Sequence, residues 1–478
     1  MFSKGFLYFL TTIFYFCTFL KSSPAHGNNE KALRRAPRPS CFEVITGKSA
    51  YNNPYFFESP ETLPAVPVVV TLGPGTAYLE EKVLLPLNPS ILRINFSHVG
   101  KDLKRWSEVN GIVNAVSTFP SALLADNPGP KIRITNSQQV LLHPGMILVI
   151  NREGIEAREP DAHGLKNLTM PTKDFDWITE ELKAGSPIII GDDIQGETIN
   201  VNPGNSFSLK IVSLSKQGYI LTGNKGIQAP GVNVNAPALT SADFANTDWL
   251  VWSGRFQGIT ISFIRDGSDV VEFHRYMEQI FKKIFPIIRE TSSFSDVENL
   301  SGDIGARVRG FIDNIAFRTG KDSLPKEEIF QFIKEGVFQN HELMPMIWAK
   351  VETVTAMRNL ESIVSELSRV NGGIIVARGD LLIQTGRNLP AAQFLIVYAA
   401  RKVGIPVVVA TGGFSTPATQ STLTPSDTID VGTTSFLRAG LMVSEQTAMA
   451  SDEYRLHSVV QHMNYVARQS MFAGIFFS

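Results

Sequence analysis

The chain has 478 residues, 43% of them hydrophobic and only 19% charged, a balance that excludes disordered, fibrous and nucleic-acid-coating proteins and allows a large packed core. Lys+Arg 44 against Asp+Glu 45 gives a formal charge of -1, so no basic field exists to gather nucleic acid or an anionic membrane, and any anionic ligand has to be caught locally. The two cysteines are Cys17 and Cys41, which rules out disulfides, thiolate nucleophiles and Cys-based metal sites in the body beyond residue 41.

Behind Lys4, residues 5–20 form an apolar run followed by Lys21-Ser-Ser-Pro-Ala25, the small-residue pattern of a signal-peptidase site. The run is shorter than the ~20 residues of a membrane span. Residues 1–25 therefore read as a secretory signal peptide, with an uncleaved anchor as the alternative. Residues 26–65 are predicted to be a transit-like basic leader and linker: Lys31, Arg34, Arg35 and Arg38 face a single acid, Glu30, among prolines that discourage a core. Signal followed by basic segment is similar to the bipartite leader of proteins sent through the secretory pathway to a plastid of secondary origin. A secreted or membrane-anchored protein with a disordered linker is the other reading.

From Val66 onward, short Val/Ile/Leu-rich runs alternate with longer amphipathic stretches: VPVVVT (66–71), ILRINFS (91–97), ALLAD (122–126), ITISFI (259–264), PMIWAKVE (345–352), GIIVARG (373–379), PVVVAT (406–411) and AGLMVSE (439–445). Buried parallel strands read this way. The pattern predicts an α/β fold, a (β/α)8 TIM barrel over 66–131 and 231–472 whose chemistry collects at the C-terminal ends of the strands. Residues 132–230 break the alternation with Gly/Asn/Pro-rich sequence and short alternating runs, and are predicted to be an inserted β-barrel lid domain. Residues 272–345 are long for one connection and end in a Lys/Glu-rich helical stretch with no assigned role.

On a strand, Arg93, Asn95 and Ser97 point to one face while Ile94 and Phe96 point to the other. That polar face is either a ligand site or a hydrogen-bonded polar core. Lys350 and Glu352 likewise share a face, as a salt bridge or as a cation and carboxylate suited to stabilising an enolate and binding a divalent cation. Gly379 and Asp380 end the next strand, the glycine allowing close backbone approach and the carboxylate able to complete a magnesium site with Glu352. Thr411 closes PVVVAT. Consecutive barrel strands tipped with functional groups point to a site.

The motifs VTLGPGT (70–76), RINFSH (93–98), GPKIR (129–133), GNKGIQAPGVNVNAPALTSAD (223–243), SFIRDGSDV (262–270), AKVE (349–352), VARGDL (376–381) and VATG (409–412) resemble the pyruvate kinase family in order and spacing, from about Val66 to about Phe472. The resemblance implies phosphoryl transfer from phosphoenolpyruvate to ADP, giving pyruvate and ATP, in a barrel capped by a mobile β-domain. It implies catalytic roles for Arg93, Lys350 and Thr411, with Arg93 on the transferring phosphoryl group, Lys350 on the developing charge and Thr411 in the proton relay. Ala377, Arg378, Gly379 and Asp380 would bind the substrate, their amides receiving its carboxylate, with Thr411 beside them. Asn95, His98 and Arg133 would contact the nucleotide, and Glu352 and Asp380 would hold Mg2+. Asn95, Ser97, Asp126 and Asn127 match the monovalent-cation position. Lys131 stands where many members carry Glu and need potassium, and its ammonium can supply that charge internally, so potassium is expected to be dispensable.

Several signatures depart from the family. LDTKGP reads Ala125-Asp-Asn-Pro-Gly-Pro130, TQML reads Thr411-Gly-Gly-Phe414, LSGETA reads Val443-Ser-Glu-Gln-Thr-Ala448, RGDLGVE reads Arg378-Gly-Asp-Leu-Leu-Ile-Gln384, and the lid's VDDG reads Gly191-Asp-Asp-Ile194. The family's C-terminal regulatory domain is expected to be absent, with homo-oligomers, if any, formed through the barrel. No nucleic-acid partner is expected. A catalytically inactive relative that binds a ligand or partner is the alternative to a working kinase.

Overall fold

In the computed structural model the described residues are 68–72, 90–96, 108–113, 121–135, 139–155, 166–191, 193–232, 234–318, 321–339, 343–410, 424–443, 465, 466 and 469. The chain divides into units Met1–Ala36 and Pro37–Ser478; the first, with the leader, lies outside the described residues. No helix among the described residues is long and apolar enough to cross a membrane.

In chain order the strands are β1 (Val68–Leu72), β2 (Ile91–Asn95), β3 (Ala122–Asp126), β4 (Arg133–Ile134), β5 (Val140–Leu142), β6 (Ile147–Arg152), β7 (Lys166–Met170), β8 (Pro187–Ile190), β9 (Ile194–Asn202), β10 (Ser206–Leu214), β11 (Tyr219–Leu221), β12 (Lys225–Gln228), β13 (Gly258–Ile261), β14 (Met346–Val351), β15 (Gly373–Ala377), β16 (Val407–Ala410) and β17 (Gly440–Val443). Eight of them close in the order β1-β17-β16-β15-β14-β13-β3-β2, every neighbouring pair parallel. This is the (β/α)8 barrel that the eight apolar runs predict.

Alternation along each strand divides its side chains between two cores. Leu92, Ile94, Phe96, Ile259, Ile261, Ile347 and Val351 face outward and pack under the helices. Val69, Ile91, Leu124, Trp348, Ile375 and Val408 fill the barrel interior. Each fully buried aliphatic side chain contributes roughly 1.5–3 kcal/mol, which ties the strands to both cores. Trp348 is completely buried and dominates the floor. Its indole fits because its neighbours on β13 and β15 are glycines: a Cβ would stand 3.0 Å from the indole at Gly258 and 2.7 Å at Gly373.

Between β3 and β13 the chain forms a second, nearly closed sheet in the order β4-β12-β8-β9-β10-β6-β7, with β11 and β5 as a separate ribbon. A Thr135–Thr169 bridge brings the end of β4 to β7. Inward side chains such as Leu148, Phe207, Leu209 and Ile211, with Phe175 from helix Thr172–Thr179, give this lid its own core. Exposed residues alternate with them along β9 and β10, the period of a sheet with one wet face.

The long connection before β14 is helical. Helix Gly267–Glu290 starts at a capping box in which Asp266 and Asp269 satisfy each other's end of the first turn. Helices Phe294–Glu298, Gly302–Arg318 and Lys326–Gln339 follow. Val308, Phe311, Ile312, Ile315, Ile329, Phe330 and Ile333 pack into the main core, with Phe311 edge-on to Phe281 at 6.2 Å. The stretch thickens the outer helical layer beside β13 and β14.

Candidate active site

The same alternation that buries Trp348 places Thr71, Arg93, Asp126, Thr260, Ser262, Lys350 and Glu352 on the inner face near the C-terminal ends of β1, β2, β3, β13 and β14. Thr71 lies opposite Arg93 in the β1–β2 register, and Asn95 opposite Asp126 in the β2–β3 register. Arg93 donates from Nη1 to Thr71 Oγ1 at 2.9 Å and from Nε to Asp126 Oδ2 at 2.9 Å, with Nη2 on the same carboxylate oxygen. Thr260 Oγ1 donates to Asp126 Oδ1 at 2.7 Å, and Lys350 Nζ lies 3.4 Å from that oxygen. Lys350 also pairs with Glu352 Oε1 at 2.9 Å and donates to Ser262 Oγ at 3.0 Å. Asp126 is 2% exposed and Glu352 1%, so both charges depend on these partners rather than on water.

The charges decide the protonation states. Burial works against the ionised carboxylate of Asp126, but Arg93, Lys350 and the Thr260 hydroxyl outweigh it and hold the group well below the usual carboxylate range. Burial likewise opposes the Lys350 ammonium, and the carboxylates of Asp126 and Glu352 overcome this and push it above the usual lysine value. Glu352 goes the other way. Burial, with the nearby negative charge of Asp380, raises its pKa to about 7 despite Lys350 and the amide of Phe263, which donates to Oε2.

Glu352 and the Asp380 carboxylate whose charge raises its pKa form a donor set for a hard divalent cation. Glu352 and Asp380 fit Mg2+, which takes one or two protein carboxylates and completes its shell with water and substrate phosphates. No cluster of three or more His, Cys, Asp or Glu occurs among the described residues. Because the cation needs Glu352 ionised, its affinity is expected to rise as pH increases through about 7. Binding below that pH should release a proton, detected by calorimetry in buffers of different ionisation enthalpy; affinity flat from pH 6 to 8 would contradict the pairing.

Asp380 sits in the first turn of helix Arg378–Thr385, whose N-cap, Ala377, makes no side-chain cap hydrogen bond. An anion is favoured at such an end by the peptide dipoles. The Arg378 guanidinium is directed to the neighbouring strand and helices, donating from Nε to Ala410 O at 3.3 Å and from Nη1 to Gln393 Oε1 at 3.4 Å and pairing with Asp430. Asn127 is held by β13: its N–H donates to Thr260 Oγ1 at 3.0 Å, and its carbonyl accepts from Ser262 Oγ at 2.5 Å. Gly129 adopts φ 65°, and a Cβ there would stand 2.9 Å from Ser262, so this turn requires glycine. Phe263, which supplies the amide to Glu352, also has positive φ, 53°, an unfavourable backbone retained at the site.

A cavity of about 110 Å³ separates lid from barrel, lined by Lys131, Gln228, Phe263, Thr353 and Asp380 among others. Lys131 is exposed, its stem lying against Gly226 of β12. Arg133 lies in the lid at the start of β4, its N–H donating to Asp174 Oδ2 at 3.0 Å. Of the residues singled out from the sequence, Arg93, Asn95, Asp126, Asn127, Lys350, Glu352, Ala377, Gly379 and Asp380 lie at or near the barrel mouth. Ser97, His98 and Thr411 lie outside the described residues. Thr71, Thr260 and Ser262 were not singled out, although their alternation with Val70, Ile259 and Ile261 carries the same inward-polar signal as Arg93 and Asn95.

A family model described as pyruvate kinase, barrel domain, matches residues 63–306. The chain is 24% identical over 350 residues to a pyruvate kinase from Geobacillus stearothermophilus, covering 72% of this chain and 46% of that one. It is 23% identical over 410 residues to a pyruvate kinase from Bacillus licheniformis, covering 84% and 56%. The chain thus spans about half the length of these curated relatives. Among solved structures, a pyruvate kinase from Cryptosporidium parvum is similar with a TM-score of 0.60 and 19% identity, covering 87% of this chain and 70% of that one, a likeness of fold. With the barrel-domain model matched over more than half its residues, the chain belongs to the pyruvate kinase family.

Proposed function

We propose that the chain transfers the phosphoryl group of phosphoenolpyruvate to ADP, releasing pyruvate and ATP. The observation that carries this reading is the buried cluster of Arg93, Asp126, Lys350 and Glu352 at the barrel mouth, with Asp380 close enough to raise the pKa of Glu352. In the reaction the bond from phosphorus to the enol oxygen breaks as a β-phosphate oxygen of ADP bonds to phosphorus. The enolate carbon then takes a proton to give pyruvate.

Arg93, fixed by Thr71 and Asp126, holds the phosphoryl group. Lys350, kept protonated by two carboxylates, holds the charge that develops on the enolate oxygen. The N-terminal turn at Ala377 to Asp380 receives the substrate carboxylate. Mg2+ held by Glu352 and Asp380 would supply positive charge to the phosphate and enolate oxygens. By family likeness alone, Thr411 serves the proton relay and Asn95, His98 and Arg133 contact the nucleotide. Asn95, Ser97, Asp126 and Asn127 form the monovalent-cation position, and Lys131, which lines the cleft, makes potassium dispensable.

A coupled pyruvate-release assay with phosphoenolpyruvate, ADP and Mg2+, with and without potassium, tests this. Turnover is expected in both conditions, within about twofold of each other. Activity confined to the potassium arm would remove the role given to Lys131. Folded protein without turnover in either arm would contradict the kinase reading and move the weight to the noncatalytic alternative.

A further inference from the structure

Gln228 ends β12, the lid strand from which the chain returns to the barrel. Its backbone belongs to the lid: Gln228 is paired with Ile189 of β8, and the adjacent Ile227 donates its N–H to Ile132 O at 3.0 Å. Immediately after it comes a tight turn, with Val232 N–H donating to Ala229 O at 3.1 Å and Gly231 at φ 79°. The side chain leaves the lid. Nε2 donates to Asp380 Oδ1 at 2.5 Å, across the cavity that both residues line. An ionised carboxylate only accepts hydrogen bonds, so the amide nitrogen must face it.

Asp380, at the other end of this bond, belongs to the barrel, on a helix whose first residue is tied through its guanidinium to Ala410 O. The hydrogen bond therefore joins the lid sheet to the barrel through a group proposed above to bind a cation. One oxygen of Asp380 takes the amide and the other remains for ligation. A ligating carboxylate oriented by a hydrogen-bond donor needs no reordering when the cation arrives.

Building on the proposed function, we propose that Gln228 is a positioning residue for Asp380 that couples the position of the lid to divalent-cation binding at Glu352 and Asp380. Coupling of this kind is reciprocal: a lid held down by Gln228 raises cation affinity, and a bound cation holds the lid down.

The test is Mn2+ binding to the full chain without substrate, read by the paramagnetic signal of free Mn2+, together with hydrogen exchange in the turn after β12. Gln228→Leu keeps the bulk and removes the donor. It is expected to weaken Mn2+ about tenfold and to abolish a Mn2+-dependent slowing of exchange at Ala229–Val232. Asp380→Asn separates the two claims. If it loses Mn2+ while Gln228→Leu binds and exchanges like wild type, the positioning role fails and the functional reading stands. If Asp380→Asn binds Mn2+ like wild type, the cation site fails and the positioning role falls with it. Should Gln228→Leu not fold, Gln228→Asn serves instead; one methylene shorter, it cannot reach Oδ1, and wild-type Mn2+ affinity there overturns the proposal.

Discussion

Lys350→Met is expected to lower the rate of pyruvate formation by about 10²–10³-fold, with a much smaller change in KM for phosphoenolpyruvate. The ammonium lies 2.9 Å from Glu352 and 3.4 Å from Asp126, where it is held in the charged form on which stabilisation of an enolate depends. Methionine keeps the stem's packing over the barrel floor and removes only the charge. The fold survives because the remaining partners adjust. Asp126 retains Arg93 and Thr260, and Glu352, already pushed up to about 7, takes a proton once the ammonium is gone. Stopped-flow measurement of a single turnover, alongside circular dichroism, separates lost chemistry from lost structure. A variant with native spectra and undiminished rate would remove Lys350 from the reaction.

Asp126→Ala is expected to cost about 3–5 kcal/mol of stability, the largest effect on folding of any change at the site. It leaves Arg93 and Lys350, with side chains 14% and 15% exposed, facing one another without the carboxylate that neutralises them. The pH dependence follows from the directions of the two shifts. Asp126 has a depressed pKa when folded, so its contribution is present above its unfolded value of about 3.9 and is lost as pH falls through the folded value. Lys350 has a raised pKa, so its contribution is present below about 10.4 and is lost as pH rises through the folded value. Between those limits the penalty should be nearly constant, and below pH 4 the difference between wild type and variant should shrink. Urea denaturation across this range reads it directly, and a variant as stable as wild type at pH 7 would contradict the network.

The barrel was readable because a strand buried on both faces is a run of Val, Ile and Leu, and because each run here ends in residues that such burial would otherwise forbid. Arg93, Lys350 and Glu352 stood out as charges in apolar sequence. Thr260 and Ser262 were hidden by their size and neutrality, although their spacing with Ile259 and Ile261 is the same. Contacts made across the fold leave no local trace. Nothing near Gly373 announces that its missing side chain makes room for Trp348, and nothing near Gln228 points to Asp380, 152 residues away. Arg378 shows the reverse case: its place in a recognisable motif gives no direction for its side chain, which turns to Asp430 and Ala410. The helices of 272–345 were legible only as helical sequence. Their role as an outer layer became evident from the apolar faces that pack on Phe281 and its neighbours.

The most direct test of the central claim, that the buried cluster at the barrel mouth is a phosphoryl-transfer centre, is phosphorus NMR of the chain with phosphoenolpyruvate, ADP and Mg2+. The account predicts that the phosphoenolpyruvate signal falls as the γ-phosphate signal of ATP rises in equal amount, and that with Lys350→Met both change about 10²–10³-fold more slowly. Phosphate released to solvent without ATP, or unchanged spectra from folded protein, would contradict it.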